Sequence, residues 1–114
     1  MITDERRAFK RVKLKFTIKY KLHGSAVSGT SVSENISLGG IYFISLEKFR
    51  IGQLIDCSIS MPGIPEQGKW TARVVRCENV DNKMVTTFGI AAEFMKSLGD
   101  SEKNLKKILN ESNR

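Results

Sequence analysis

The sequence predicts an all-β domain, an antiparallel sandwich or small barrel, with one α-helix at its C-terminal end. Three observations point there. Apolar and polar residues alternate with a period of two through most of the chain, turn residues interrupt that alternation about every eight to twelve positions, and a helical period appears only after residue 100.

The first strand is the clearest. Val12, Leu14, Phe16, Ile18, Tyr20 and Leu22 alternate without a break with Lys13, Lys15, Thr17, Lys19 and Lys21, so one face is apolar and the other lysine-rich. "HGSAVSG" then supplies a turn, and "TSVSENIS" reads as a more polar strand of the kind found at sheet edges. After "LGG" comes the short apolar run Ile41 to Ile44. Beyond "LEKFRIG", Leu54, Asp56, Ser58 and Ser60 alternate with Ile55, Cys57, Ile59 and Met61. "PGIPEQG" holds both prolines and breaks the pattern. In "KWTARVVRCE", Trp70, Ala72 and Val74 oppose Thr71, Arg73 and Val75, and "MVTTFGIAAEF" sets Ile90, Ala92 and Phe94 on one face. The helix is expected over about residues 99–112. Ser101 serves as its N-cap, Glu102 sits in the first turn, and Leu105, Ile108 and Leu109 form an apolar stripe for one mouth or flank of the β domain.

Length and composition limit the rest. The 114 residues suit one domain able to bury a core, and 40% apolar with 27% charged residues is the balance of a globular chain rather than a disordered one. No apolar run is long enough to cross a bilayer, and "MITDERRAFK" lacks the apolar centre of a signal peptide, so a cytoplasmic location is expected. Met1 and the absence of a linker favour a stand-alone module. Cys57 and Cys77 lie in strand-like runs outside any CxxC or Cys/His cluster, which points to reduced thiols acting as small hydrophobes.

Charge is concentrated rather than spread. The net charge is +7, and residues 1–21, with eight basic side chains against Asp4 and Glu5, contribute +6 of it. An anionic partner near the N-terminal end is implied. Catalysis finds little to build on: the single histidine, His23, sits in a Gly/Ser turn, the acids are scattered, and neither GxGxxG nor a phosphate-binding loop with its lysine is present. The chain reads as a binding protein with no enzymatic centre, no metal and no cofactor.

Two short patterns remain. Arg7 and Arg11, in "RRAFKRV", are spaced as RxxxR, and Asn35, Ser37 and Gly40, in "NISLGG", as NxSxxG. Each is weak alone: the first arises in any basic tail, and the second serves an ordinary hairpin turn. In this order, flanking a strand that starts right after Arg11, they resemble the PilZ domain, a bacterial receptor module for the second messenger cyclic diguanylate (c-di-GMP). "FRIGQLIDCSISMP", "ARVVR" and "FGIAAEF" are similar to later strands of that family, so the resemblance covers nearly the whole chain. It implies a six-stranded antiparallel β-barrel, PilZ-like and of the split-barrel kind, with a C-terminal α-helix. Residues 1–11 are then expected to be a flexible basic arm and residues 12–114 a single barrel domain.

The resemblance also implies the ligand and its contacts. Cyclic di-GMP offers two phosphates, two flat guanines and their O6/N7 acceptor edges. The arginine fork pairs bidentately with phosphate or with guanine O6/N7 and stacks on a base, which a lysine cannot do. Arg7 and Arg11, with Arg6 as a third hand, are therefore expected to supply most of the affinity. In the turn, Asn35 offers an amide to a guanine edge, Ser37 a hydroxyl, and Gly39 and Gly40 room for close approach. Many family members carry Asp where this chain has Asn35, and an acid would accept guanine N–H bonds with charge assistance. Lys10 and Trp70 are secondary candidates, Trp70 as a wall for a guanine or else as core.

The expected mechanism is a switch. The arm folds over c-di-GMP, and its ordering alters contacts with a downstream protein partner. No nucleic acid, no membrane insertion, and a monomer or weak homodimer complete the expectation. Two rivals stand beside it: a nucleic-acid-binding small barrel, against which the lysine face lacks interleaved aromatics, and a PilZ-like protein adaptor that no longer binds the nucleotide.

Overall fold

The structure, a computed structural model, describes residues 15–81 and 85–112. Six strands, β1 (Thr17–Leu22), β2 (Ser28–Ile36), β3 (Gly40–Ser45), β4 (Leu54–Ile59), β5 (Gly68–Asp81) and β6 (Thr86–Leu98), precede one helix, α1 (Ser101–Ser112). They close into an antiparallel barrel in the order β1-β2-β3-β6-β5-β4, with β4 returning to pair β1. Of the two architectures open to the alternation pattern, the barrel is the one formed. Closure also corrects one expectation: β2 is not an edge strand, because β1 pairs one side of it and β3 the other.

Alternation explains the interior. Ile18 and Tyr20 of β1, Ile55, Cys57 and Ile59 of β4, and Trp70, Ala72 and Val74 of β5 are all at most 3% exposed, while the residues between them face water or the barrel's outer wall. Phe43, Ile36, Ile41 and Ile90 complete the packing from the other strands. β1 begins five residues later than the alternation suggested, and Val12, Lys13 and Leu14 lie outside the described residues, as does the proposed arm over 1–11. Phe16 is nonetheless buried.

The helix packs against β5 and β6, and Leu105, Ile108 and Leu109 join the barrel core as their spacing predicted. Its start differs. The Asn104 N–H donates to the Asp100 carbonyl, which makes Asp100 the cap residue and places Ser101 in the first turn. The Ser101 hydroxyl instead accepts from the Lys69 N–H at 2.7 Å and donates to the Leu98 carbonyl, stitching the helix to β5 and β6.

Cys57 and Cys77 are free thiols. Cys57 pairs across the sheet with Trp70, leaving Cys77 roughly 20 Å further along β5. Burial, with a smaller contribution from the negative charge of Asp56, pushes the Cys57 thiol up to about 12.

Candidate functional site

The NxSxxG residues lie where β2 turns into β3, and their presentation depends on a one-residue irregularity. Ser33 and Ile36 are both fully buried, an odd separation that a regular strand cannot produce. The register supplies the reason: Ser33 opposes Phe43 but Asn35 opposes Tyr42, so residue 34 is an extra residue in a β-bulge. The bulge resets the alternation. Ile36 returns to the core, and Asn35 lands on the outer wall, half-buried, beside Tyr42.

The turn is tied down from three directions. The Ser37 N–H donates to the Gly40 carbonyl at 2.9 Å, the Ser37 hydroxyl accepts from the Gly39 N–H at 3.1 Å, and the Gly39 carbonyl accepts from the Phe94 N–H of β6 at 2.9 Å. Ser37 therefore shapes the turn while its own O–H remains a donor in kind. Gly40 answers a packing demand. A Cβ there would stand 2.4 Å from the Ala92 carbonyl oxygen of β6, closer than any side chain tolerates. Only glycine lets β3 approach β6 at this point.

Two ion pairs flank the turn on the same wall. Glu93, the cross-strand partner of Gly40, is held by Arg73. Further along β5, Arg76 Nε lies 3.7 Å from Glu78 Oε1, and the Tyr42 hydroxyl donates to Glu78 Oε2 at 3.3 Å. None of these residues stood out in the sequence. Tyr42 sat inside an apolar run, and only its place on the outward side of "IYFI" set it apart.

The basic segment connects to this turn through Phe16. Its N–H donates to the Ser33 hydroxyl at 3.1 Å, and its carbonyl accepts from the Ser33 N–H at 2.8 Å. The chain thus enters the barrel two residues from Asn35. Arg6, Arg7, Lys10 and Arg11 lie outside the described residues. Chain length alone keeps the Arg11 Cα within about 18 Å of Phe16.

Trp70 does not form a surface wall. It is 3% exposed and stacks inside the core on Phe94, ring centroids 4.7 Å apart at 18°. Its inward place on β5 explains why. Among the described residues, no group of three or more His, Cys, Asp or Glu is arranged to hold a metal, and no helix is long and apolar enough to cross a membrane.

Beside the barrel, its helix and the Asn35–Gly40 turn, the family model of the PilZ domain matches residues 5–111. The chain belongs to the PilZ domain family. Solved structures agree on the fold. The PilZ domain with c-di-GMP of YcgR from Escherichia coli superposes with a TM-score of 0.69 at 18% identity, covering 91% of this chain and 88% of that one. The Bacillus subtilis inhibitor of motility MotI/DgrA gives 0.72 at 21% identity over 93% of this chain and 53% of its own. MrkH of K. pneumonia in its apo state gives 0.75 at 14% identity over 97% and 51%. This PilZ chain spans about half the length of the last two. Among curated proteins, none matches its sequence.

Proposed function

We propose that this PilZ chain is a cyclic di-GMP receptor, a binding module rather than an enzyme, whose ligand is clamped between the RxxxR segment and the Asn35–Gly40 turn. The observation that carries the reading is the entry of the chain beside Ser33. Five residues of chain are long enough for Arg11 to reach the outward Asn35, so the two patterns, 24 positions apart in sequence, can close on one ligand. That YcgR and MrkH are described with c-di-GMP supports it as a matter of kinship.

In this reading Arg7 and Arg11 grip phosphate and the guanine O6/N7 edge, with Arg6 and Lys10 adding charge, while Asn35 and Ser37 meet a guanine from the barrel side. Binding orders residues 1–11 over the ligand, and that ordering changes what a downstream protein partner can contact. The nucleic-acid rival gains little. The outer face of β1 does carry Lys19 and Lys21, with Lys15 exposed just before the strand, yet no aromatic side chain lies among them in the described residues of that face.

Calorimetric titration with c-di-GMP tests the clamp. Wild type is expected to bind, and Arg7→Ala and Arg7→Lys are both expected to lose most of the affinity, since a bidentate guanine contact is worth about 1–3 kcal/mol. Retained affinity in Arg7→Lys would mean that charge alone suffices. No heat from wild type at low and moderate salt would overturn the assignment.

A further inference from the structure

The outer wall next to Asn35 holds one aromatic ring in a defined pose. After the bulge in β2, Asn35 and Tyr42 are direct cross-strand neighbours on the outward side. The Tyr42 side chain does not lean back over β2. It reaches across β6 and settles over Gly89: a Cβ on that glycine would lie 1.9 Å from the Tyr42 hydroxyl oxygen and 2.7 Å from its Cζ. Gly89 opposes Ile44, so the ring lies diagonally across the β3–β6 pair. Its hydroxyl then bonds Glu78 of β5, itself the partner of Gly89 and 3.7 Å from Arg76. The ring is thus seated in the notch glycine leaves and fastened at its far end, which removes most of the rotamer freedom a surface tyrosine keeps.

A cyclic dinucleotide carries two bases, and the NxSxxG turn provides for one. We infer that Tyr42 is a purine platform, the surface on which the second guanine of the bound c-di-GMP stacks. Two strand spacings, roughly 10 Å, separate β2, which carries Asn35, from β6, over which the ring lies. The two bases of one ligand therefore meet two different groups on a single wall: an amide that reads an edge, and a ring that takes a face. A tyrosine held by glycine and glutamate is pre-ordered for this, so stacking costs little additional side-chain entropy.

This inference rests on the proposed receptor function, and the competing view is that Tyr42 only covers Gly89. Calorimetry with c-di-GMP on wild type, Tyr42→Leu and Tyr42→Phe, with thermal melting of each, separates them. Tyr42→Leu is expected to weaken binding by roughly tenfold or more, the loss of one base–aromatic stack, and Tyr42→Phe to stay within about threefold of wild type because it keeps the ring face. In NMR titration of the ligand, one guanine H8 should show an upfield ring-current shift that survives in Tyr42→Phe and vanishes in Tyr42→Leu. If Tyr42→Leu melts lower yet binds like wild type, the ring is structural only and this inference fails while the receptor assignment stands. If wild type does not bind, both fail together.

Discussion

The two sides of this barrel are built by different rules. Where β1 meets β4, the register runs from Ile18↔Ile59 to Leu22↔Ile55 without a shift, and every second residue drops into the core. Around β2–β3 and β5–β6 three bulges interrupt the ladders, at residue 34, at Val75 and at Met95. Val75 and Met95 are pushed outward, 43% and 54% exposed, and residue 34 turns Asn35 to the wall. Strict alternation makes a strong but uniform surface. Breaking it costs ladder bonds locally and lets a strand aim side chains that its period would have hidden. The described part of the candidate site, the Asn35–Gly40 turn, lies on the irregular side.

The contrast predicts separable phenotypes, and the largest belongs to the regular side. Ile18 is fully buried there. Ile18→Ala is expected to lower unfolding free energy by about 2–5 kcal/mol in urea denaturation, while the fraction still folded binds c-di-GMP with wild-type affinity. A matching fall in affinity would show that the two sides are not independent.

Gly40→Ala is the counterpart on the irregular side. The added Cβ meets backbone, the Ala92 carbonyl oxygen, which cannot swing away as a side-chain tip would. A loss of about 1–3 kcal/mol is expected from the forced shift of β3 against β6. Here affinity should fall as well, because the Gly39–Phe94 bond that positions the turn moves with it. Denaturation and calorimetry on the same sample give both numbers. A destabilised variant that binds normally would detach the turn from the ligand.

The same contrast decides what could be read from the sequence. On the regular side, period-two alternation in "IKYKL" and "LIDCSIS" places Ile18, Tyr20, Ile55, Cys57 and Ile59 inside, as the structure does. The helix stripe was legible for a similar reason. A bulge leaves no such trace, because one inserted residue inverts the pattern after it. In "SVSENIS" nothing marks residue 34 as the extra one, so Ser33 and Ile36 could not both be assigned to the core. Trp70 obeyed its alternation and went inward, which leaves no surface on it for a base. The residue types of the NxSxxG turn were recognisable, but the packing reason for Gly40 lies in β6, more than 50 positions away. Closure of the barrel, and with it the pairing of β2 on both sides, is a property of all six strands that no single stretch displays.

The smallest effect is expected from the outer face of the regular side, where a pair looks important and should not be. His23 Nδ1 lies 3.1 and 3.2 Å from the two Asp56 oxygens, but the side chains are 56% and 41% exposed. Solvent screens such a pair, so Asp56→Asn should change stability at pH 7 by under about 0.5 kcal/mol and leave c-di-GMP affinity unaltered. The alkaline dependence on this side comes instead from the buried thiol beside Asp56. The Cys57 thiol is raised from 9.0 to about 12, first by burial and then by the Asp56 charge, so the folded state keeps a proton that the unfolded state releases. Stability from this group is complete below pH 9 and is lost as pH climbs through that window. Removing the Asp56 charge lowers the folded thiol value, but between pH 7 and pH 10 the loss follows the unfolded thiol at 9.0, so Asp56→Asn should lose the same stability as wild type over that interval, about 1.4 kcal/mol per pH unit above 9. Urea midpoints at those two pH values measure it. A loss above about 1 kcal/mol at pH 7 would mean that this face contributes more than an exposed ion pair can supply.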